Sequence, residues 1–88
     1  MYSVRAIVEE LNRHHQRVTY GALAALLGTS PRSVMQGCKR DWLHSWVVGQ
    51  DNGLPSEYHE LQMHPQLGER ENILSTVDEL REWLASHR

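Results

Sequence analysis

The chain has 88 residues, 40% of them hydrophobic, a length that suits one compact domain but not two separate cores. Its single cysteine excludes an internal disulfide, and no apolar run approaches the roughly 20 residues of a transmembrane helix. No secretory leader is recognisable at the start. We therefore expect a cytoplasmic protein, monomeric or dimeric, that does not contact membranes.

The formal charge is −2, but it is unevenly distributed along the chain. Residues 1–44 carry six basic and three acidic residues, whereas residues 45–88 carry three basic and eight acidic residues. An overall acidic balance argues against a nucleic-acid partner, yet the asymmetry indicates one face that tolerates phosphate and another that repels it. A solvated acidic helix is the simpler explanation of the second half.

Two helices are predicted in the first third of the chain. Residues 3–14 place apolar side chains at helical spacing, and Ser3 is available as the N-cap. Thr19 offers a second N-cap before an apolar run that ends at Gly28. Glycine tolerates the left-handed conformation that commonly ends a helix, so the second helix is predicted to end there.

A third helix is predicted over residues 31–39. Ser30 can cap it, and Pro31 fits the first helical position because the amide donor that proline lacks has no partner there. Only a short turn containing glycine separates this helix from the second one. Residues 19–39 are therefore predicted to form a helix-turn-helix.

The next segment is predicted to be a small β wing at about residues 44–56. Residues 44–48 are rich in β-forming side chains, and the Asn-Gly step at 52–53 favours a tight hairpin turn. The predicted fold class is therefore mainly α with a small β wing.

The last predicted element is a C-terminal helix at about residues 76–87. Thr76 with Glu79 three residues later is typical of a capping box, and an apolar stripe follows it. The complete expectation is a single domain over residues 1–88, a three-helix winged helix-turn-helix with a C-terminal helix.

A helix-turn-helix places its second helix in a DNA groove, so the start of the predicted third helix is the candidate interface. Its amides and helix dipole favour phosphate, its polar side chains can bond to backbone or base edges, and two basic residues at its end add phosphate partners. The DNA-binding residues predicted in this segment are Ser30, Arg32, Ser33, Gln36, Lys39 and Arg40. The expected partner is double-stranded DNA. The alternative is that three short helices simply pack together, with ordinary charges on their surface.

The sequence Val-Thr-Tyr-Gly-Ala-Leu-Ala at 18–24, followed by Gly28 and by Pro-Arg-Ser-Val at 31–34, resembles the DNA-binding domain of O6-alkylguanine-DNA alkyltransferases and alkyltransferase-like proteins. The resemblance implies that Arg32 enters the DNA stack in place of an extruded base. It also implies that Tyr20 presses on the neighbouring phosphate. A planar guanidinium suits the first role because it can both stack and hydrogen-bond.

The family's next motif is Pro-Cys-His-Arg-Val-Val, whose cysteine accepts the alkyl group, or Pro-Trp-His-Arg-Val-Val in the alkyltransferase-like branch. This chain reads Leu-His-Ser-Trp-Val-Val at 43–48, so His44 occupies the acceptor's place. Histidine there cannot perform the family's transfer, and Cys38 is predicted on the inner face of the third helix. We therefore expect a protein that is not an enzyme.

Trp42 and Trp46 flank His44, and the three form a candidate pocket for an extruded base. Core packing is the alternative for both tryptophans. The six histidines show no paired ligand spacing, so neither a metal nor a cofactor is predicted, and His14 and His15 are expected to face solvent.

Three functions remain open from the sequence. The first is a non-catalytic DNA-binding protein that flips a base and senses alkylated bases, marking damage for a repair protein. The second is a small winged-helix transcription regulator with a regulatory partner. The third is an acidic protein-interaction module that does not bind DNA.

Overall fold

The computed structural model describes residues 3–56, 58–69 and 71–86. Its helices and strands, in chain order, are α1 (Val4–His14), β1 (Arg17–Thr19), α2 (Tyr20–Leu27), β2 (Val47–Val48), β3 (Ile73–Leu74) and α3 (Val77–Ser86). Two short 3₁₀ turns cover Leu43–Trp46, directly before β2, and Glu60–Gln62, between β2 and β3.

The first two helices are confirmed together with their caps. The Ser3 hydroxyl accepts a hydrogen bond from the Ala6 amide at 3.2 Å at the start of α1. The Thr19 hydroxyl accepts one from the Ala22 amide at 3.1 Å at the start of α2. Gly28 ends α2 with a φ of 71°, a conformation that glycine adopts without steric cost.

The three strands form one parallel sheet, and this makes the predicted winged helix-turn-helix wrong. The strand order is β2-β1-β3, with Val18 opposite Val47 on one side and Leu74 on the other. A wing is an antiparallel hairpin between neighbouring segments, whereas β2 pairs in parallel with a strand that precedes α2. Residues 44–56 instead form part of a 3₁₀ turn, strand β2 and a loop.

The predicted third helix is replaced by a run of turns over residues 31–37. Val34 is the buried hydrophobic residue in this run, and the amides of Ser33, Gln36 and Cys38 bond to carbonyls only three residues earlier. Gly37 then adopts a φ of 83°, which a regular helix cannot contain. A short helix is marginal without a packed apolar face, and this segment has little more than one buried anchor.

The helix α3 lies near the predicted position 76–87, of which residue 87 is outside the described residues. Its capping box is present: the Glu79 amide donates to the Thr76 hydroxyl at 3.2 Å, and the Thr76 amide donates to the Glu79 carboxylate at 3.1 Å. Leu80 and Leu84 face the core, where α3 packs against α2.

The core lies where the small sheet packs against the helices. Val18 and Val47 are fully buried on neighbouring strands, and Trp46 is the largest fully buried side chain. The α1 helix packs against the 3₁₀ turn that carries Trp46. Within the described ranges, no helix is long and apolar enough to cross a bilayer.

Candidate functional site

A cavity of about 520 Å³ opens between the start of α2, the turns of residues 31–40 and the loop that follows β2. This volume lies within the range of roughly 300–1,000 Å³ that is typical of small-molecule sites. Six of the residues predicted from the sequence line it: Tyr20, Arg32, Gln36, Lys39, Arg40 and His44. Most of the predicted interface is therefore brought together, although its backbone is not helical.

The predicted residues Ser30 and Ser33 lie outside this lining. Both are exposed, and the Ser30 hydroxyl donates to the Ser33 hydroxyl at 2.9 Å. The Val34 amide bonds to the Ser30 carbonyl at 3.0 Å. The two serines therefore help to shape the turns that carry Arg32, and they do not form part of the cavity wall.

The two tryptophans of the predicted base pocket are also placed elsewhere. Trp46 is fully buried, and its indole N–H donates to Asn12 at 3.0 Å. Trp42 is 51% exposed, and its indole N–H donates to the Leu61 carbonyl at 3.1 Å. Of the predicted pocket residues, His44 alone lines the cavity.

Tyr20 forms the wall of the cavity on the side of α2. It is the first residue of that helix, so the cap at Thr19 fixes its backbone. Its hydroxyl oxygen accepts a hydrogen bond from the Ser56 amide at 2.9 Å. This contact attaches the loop after β2 to the cavity and brings Ser56 into its lining.

The rim of the cavity is basic. Arg32, Lys39 and Arg40 all line it and are exposed. Neither Arg32 nor Lys39 forms an ion pair with any described residue. Asp41 directly follows Arg40 in the chain, and the charge of Lys39 helps to lower the pKa of its carboxyl group. The cavity is thus a local cationic region on a chain of negative net charge.

Asp41 and His44 form a hydrogen-bonded pair at the cavity. One carboxylate oxygen, Oδ1, lies 2.7 Å from His44 Nδ1 and 3.0 Å from the His44 backbone nitrogen. Burial raises the pKa of Asp41, but these two hydrogen bonds and the charges of His44 and Lys39 outweigh it, and the pKa lies below its usual value. Asp41 is therefore ionised at neutral pH and acts only as an acceptor.

Tyr58 and Cys38 also line the cavity, and sequence reasoning did not place either there. Burial, followed by the negative charge of Asp41, raises the pKa of Tyr58 to about 12, so its hydroxyl stays protonated. That hydroxyl donates to the Lys39 carbonyl at 3.4 Å. Burial and the charge of Asp41 also raise the pKa of the Cys38 thiol. No local signal marks Tyr58, because its partner is 19 residues away.

The histidines expected to face solvent are half-buried instead. The ring of His15 stacks on Trp46 with centroids 5.5 Å apart, and its Nδ1 lies 3.1 Å from Glu69. The ring of His14 meets Trp83 edge-on at 5.6 Å. No group of three or more metal-ligating side chains is arranged for a metal ion in the described part of the chain.

In comparisons with known proteins, no family model, no curated protein and no solved structure matches the chain. The features of the chain that bear on function are therefore the chemistry of the cavity and the sequence motif that contributes Tyr20 and Arg32 to it.

Proposed function

We propose that the chain binds double-stranded DNA without catalysing a reaction, and that the cavity receives a base displaced from the stack. The observation that carries this proposal is the convergence of Tyr20, Arg32, Lys39, Arg40 and His44 on one cavity. Four of these residues were predicted to contact DNA, and two of the four, Tyr20 and Arg32, belong to the segments that resemble the alkyltransferase family.

The charges at the rim support a phosphate backbone as the partner. Arg32 and Lys39 are exposed and have no carboxylate partner among the described residues, so binding would not require an existing ion pair to break. Cations that contact phosphates release condensed counterions from the DNA, and this release favours binding at low salt.

The first prediction concerns Arg32. Arg32→Ala should weaken binding to a short fluorescent duplex by roughly five- to ten-fold. This factor corresponds to the loss of about 1–1.5 kcal/mol for one charged contact. Fluorescence anisotropy at several salt concentrations measures this, and the wild-type affinity should fall steeply as salt rises. Arg81→Ala is the matched control because Arg81 is an exposed arginine on α3, outside the cavity lining.

Two results would contradict the proposal. Wild-type protein that binds no duplex at low salt would exclude DNA binding altogether. Equal effects of Arg32→Ala and Arg81→Ala would leave DNA binding intact but remove the cavity as its site.

The class of DNA is tested with duplexes that differ in one base. Sensing of alkylated bases predicts tighter binding to a duplex with O6-methylguanine than to the same duplex with guanine. Equal affinity for the two, combined with a preference for one sequence among many, would favour a regulator over a repair protein.

An acidic surface at the other end of the chain favours a second candidate, the binding of a basic protein segment. Glu79, Glu82 and Trp83 line a shallow depression on α3. Charge complementarity would direct a repair or regulatory partner of positive charge to this surface. Binding of such a segment by a chain that binds no DNA would favour this candidate.

A further inference from the structure

The proton on the His44 ring can be assigned from its contacts. The oxygen Oδ1 of Asp41 faces two groups of His44, the ring Nδ1 and the backbone nitrogen. An ionised carboxylate oxygen accepts hydrogen bonds and cannot donate them, so both groups must carry hydrogen. The neutral ring is therefore protonated at Nδ1, and its Nε2 carries a lone pair.

This lone pair belongs to a side chain that lines the cavity. The Nδ1 edge of the ring is occupied by Asp41, so the opposite edge remains for a ligand. No described residue forms a hydrogen bond with Nε2. The ring is also well enclosed, with 11% of its side chain exposed, so water competes weakly for this position.

Several of the side chains that line the cavity together with His44 are hydrogen-bond donors. Lys39, Arg32 and Arg40 present N–H donors, and the Tyr58 hydroxyl stays protonated because its pKa is raised. An acceptor in such surroundings complements a ligand that presents a hydrogen on nitrogen together with acceptor oxygens. A nucleotide has this combination, with N–H groups on the base edge and oxygens on the phosphate.

We propose that His44 Nε2 accepts a hydrogen bond from a donor on the base that enters the cavity, either a ring N–H or an exocyclic amino group such as the 2-amino group that O6-methylguanine keeps when its N1 becomes an acceptor. This inference rests on the proposed DNA binding and specifies the chemistry of the ligand. A base with a lone pair at that edge would face a second lone pair across the contact. Such an unpaired contact in an enclosed site should cost roughly ten-fold in affinity.

The test uses two duplexes with a central purine opposite an abasic site, so that the base leaves the stack at low cost. One carries hypoxanthine, which has a hydrogen on N1, and the other carries unsubstituted purine, which has a lone pair there. Binding is measured at pH 8. The wild-type protein should prefer the hypoxanthine duplex by roughly ten-fold in fluorescence anisotropy.

The variant His44→Leu should lose this preference, because it removes both the hydrogen bond to hypoxanthine and the unfavourable contact between two lone pairs in the purine duplex. The control His59→Leu changes an exposed histidine outside the cavity lining and should keep the preference. Contacts of other residues with the hypoxanthine oxygen are present in the wild-type protein and in His44→Leu. They therefore cancel when the hypoxanthine preferences of the two proteins are compared.

Variants of Asp41 test the assignment of the proton without removing the ring. Asp41→Asn should keep the preference, because the His44 backbone N–H still directs an amide oxygen to the position of Oδ1. Asp41→Ala should reduce it, because the ring can then adopt either tautomer. Nitrogen-15 NMR of the His44 imidazole in the wild-type protein reads the tautomer directly, so the assignment remains testable if a variant folds poorly.

The outcomes separate this inference from the proposed function. Wild-type protein that binds both duplexes equally, or a ring protonated at Nε2, would overturn the role of His44 and leave DNA binding standing. A preference for hypoxanthine that is as large in His44→Leu as in the wild-type protein would also overturn the role of His44. Failure to bind any duplex would overturn both.

Discussion

The described basic side chains on α1 differ from Arg32 at the cavity in the partners that they contact. On α1, Arg13 contacts Glu10 at 2.8 Å and Arg5 contacts Glu9 at 3.6 Å, as expected for charges that decorate a helix. Arg32 has no comparable partner among the described residues and lies at a cavity. The composition cannot distinguish these groups, since only spatial neighbours show which charges are neutralised.

The chemistry of Cys38 and His44 gives a second prediction, that the chain does not take up an alkyl group. The pKa of the Cys38 thiol is raised, so little of the nucleophilic thiolate is present at neutral pH. Incubation with a duplex that contains O6-methylguanine should therefore leave the intact mass unchanged. A gain of one methyl group, located on Cys38 or His44 by peptide mass spectrometry, would show an alkyltransferase instead. The same duplex without the lesion controls for adventitious modification.

Among the secondary-structure elements, α2 depends most clearly on a single hydrogen bond. Thr19 is buried, and its hydroxyl accepts from the Ala22 amide at 3.1 Å. Thr19→Val keeps the shape but leaves that amide unpaired, which should cost about 1–2 kcal/mol. For a domain of this size, each 1 kcal/mol lowers the melting temperature by roughly 4–8 °C.

Thermal unfolding followed by circular dichroism measures this effect. Thr19→Ser keeps the hydroxyl and should recover most of the loss. If Thr19→Val melted at the wild-type temperature, the capping bond would not contribute to stability.

Local signals explain which elements could be predicted from the sequence. The helices α1, α2 and α3 each have a cap within three residues of their first turn, so a short window contains the necessary information. The segment at 31–39 also offers a capping serine and a well-placed proline in its sequence, but Gly37 and a single buried anchor leave it as turns. The local sequence pattern does not reveal that this segment lacks the tertiary packing that a short helix needs.

The sheet and half of the cavity depend on contacts between distant segments. The strands β2 and β3 have two residues each, too few for a periodic signal, and they pair with β1 only after the chain has folded back twice. Arg32 and Lys39 were predictable because they share one segment with a recognisable motif. Ser56 and Tyr58 were not, because tertiary contacts alone bring them to Tyr20 and Lys39.

At the scale of the whole molecule, a cluster of rings joins three parts of the fold. His15 follows α1, Trp46 ends the 3₁₀ turn before β2, and His64 lies in the segment between β2 and β3. The ring of His64 lies 4.8 Å from Trp46 and 5.0 Å from His15, measured between centroids. Tyr58 precedes the second 3₁₀ turn and His64 follows it. The ring contacts of His64 therefore attach the segment that includes Tyr58 to the core.

The stability of this cluster should depend on pH. Burial lowers the pKa of His64, the charge of His15 lowers it further, and Glu69 opposes the shift. The Gln66 amide also donates to His64 Nδ1 at 3.1 Å, a bond that protonation of this nitrogen would break. As the pH falls below about 6.5, the unfolded chain takes up the proton first, so the folded state loses stability until the lowered pKa is passed.

The unfolding midpoint in urea, followed by tryptophan fluorescence, should therefore decrease from pH 7.5 to pH 5. His64→Asn removes the titrating group but offers an oxygen in place of Nδ1, so its midpoint should change less over the same range. The matched control is His59→Asn, which alters an exposed histidine at a 3₁₀ cap that asparagine also suits. A pH dependence that is unchanged in His64→Asn would assign the loss of stability to other groups and leave the ring cluster a passive part of the core.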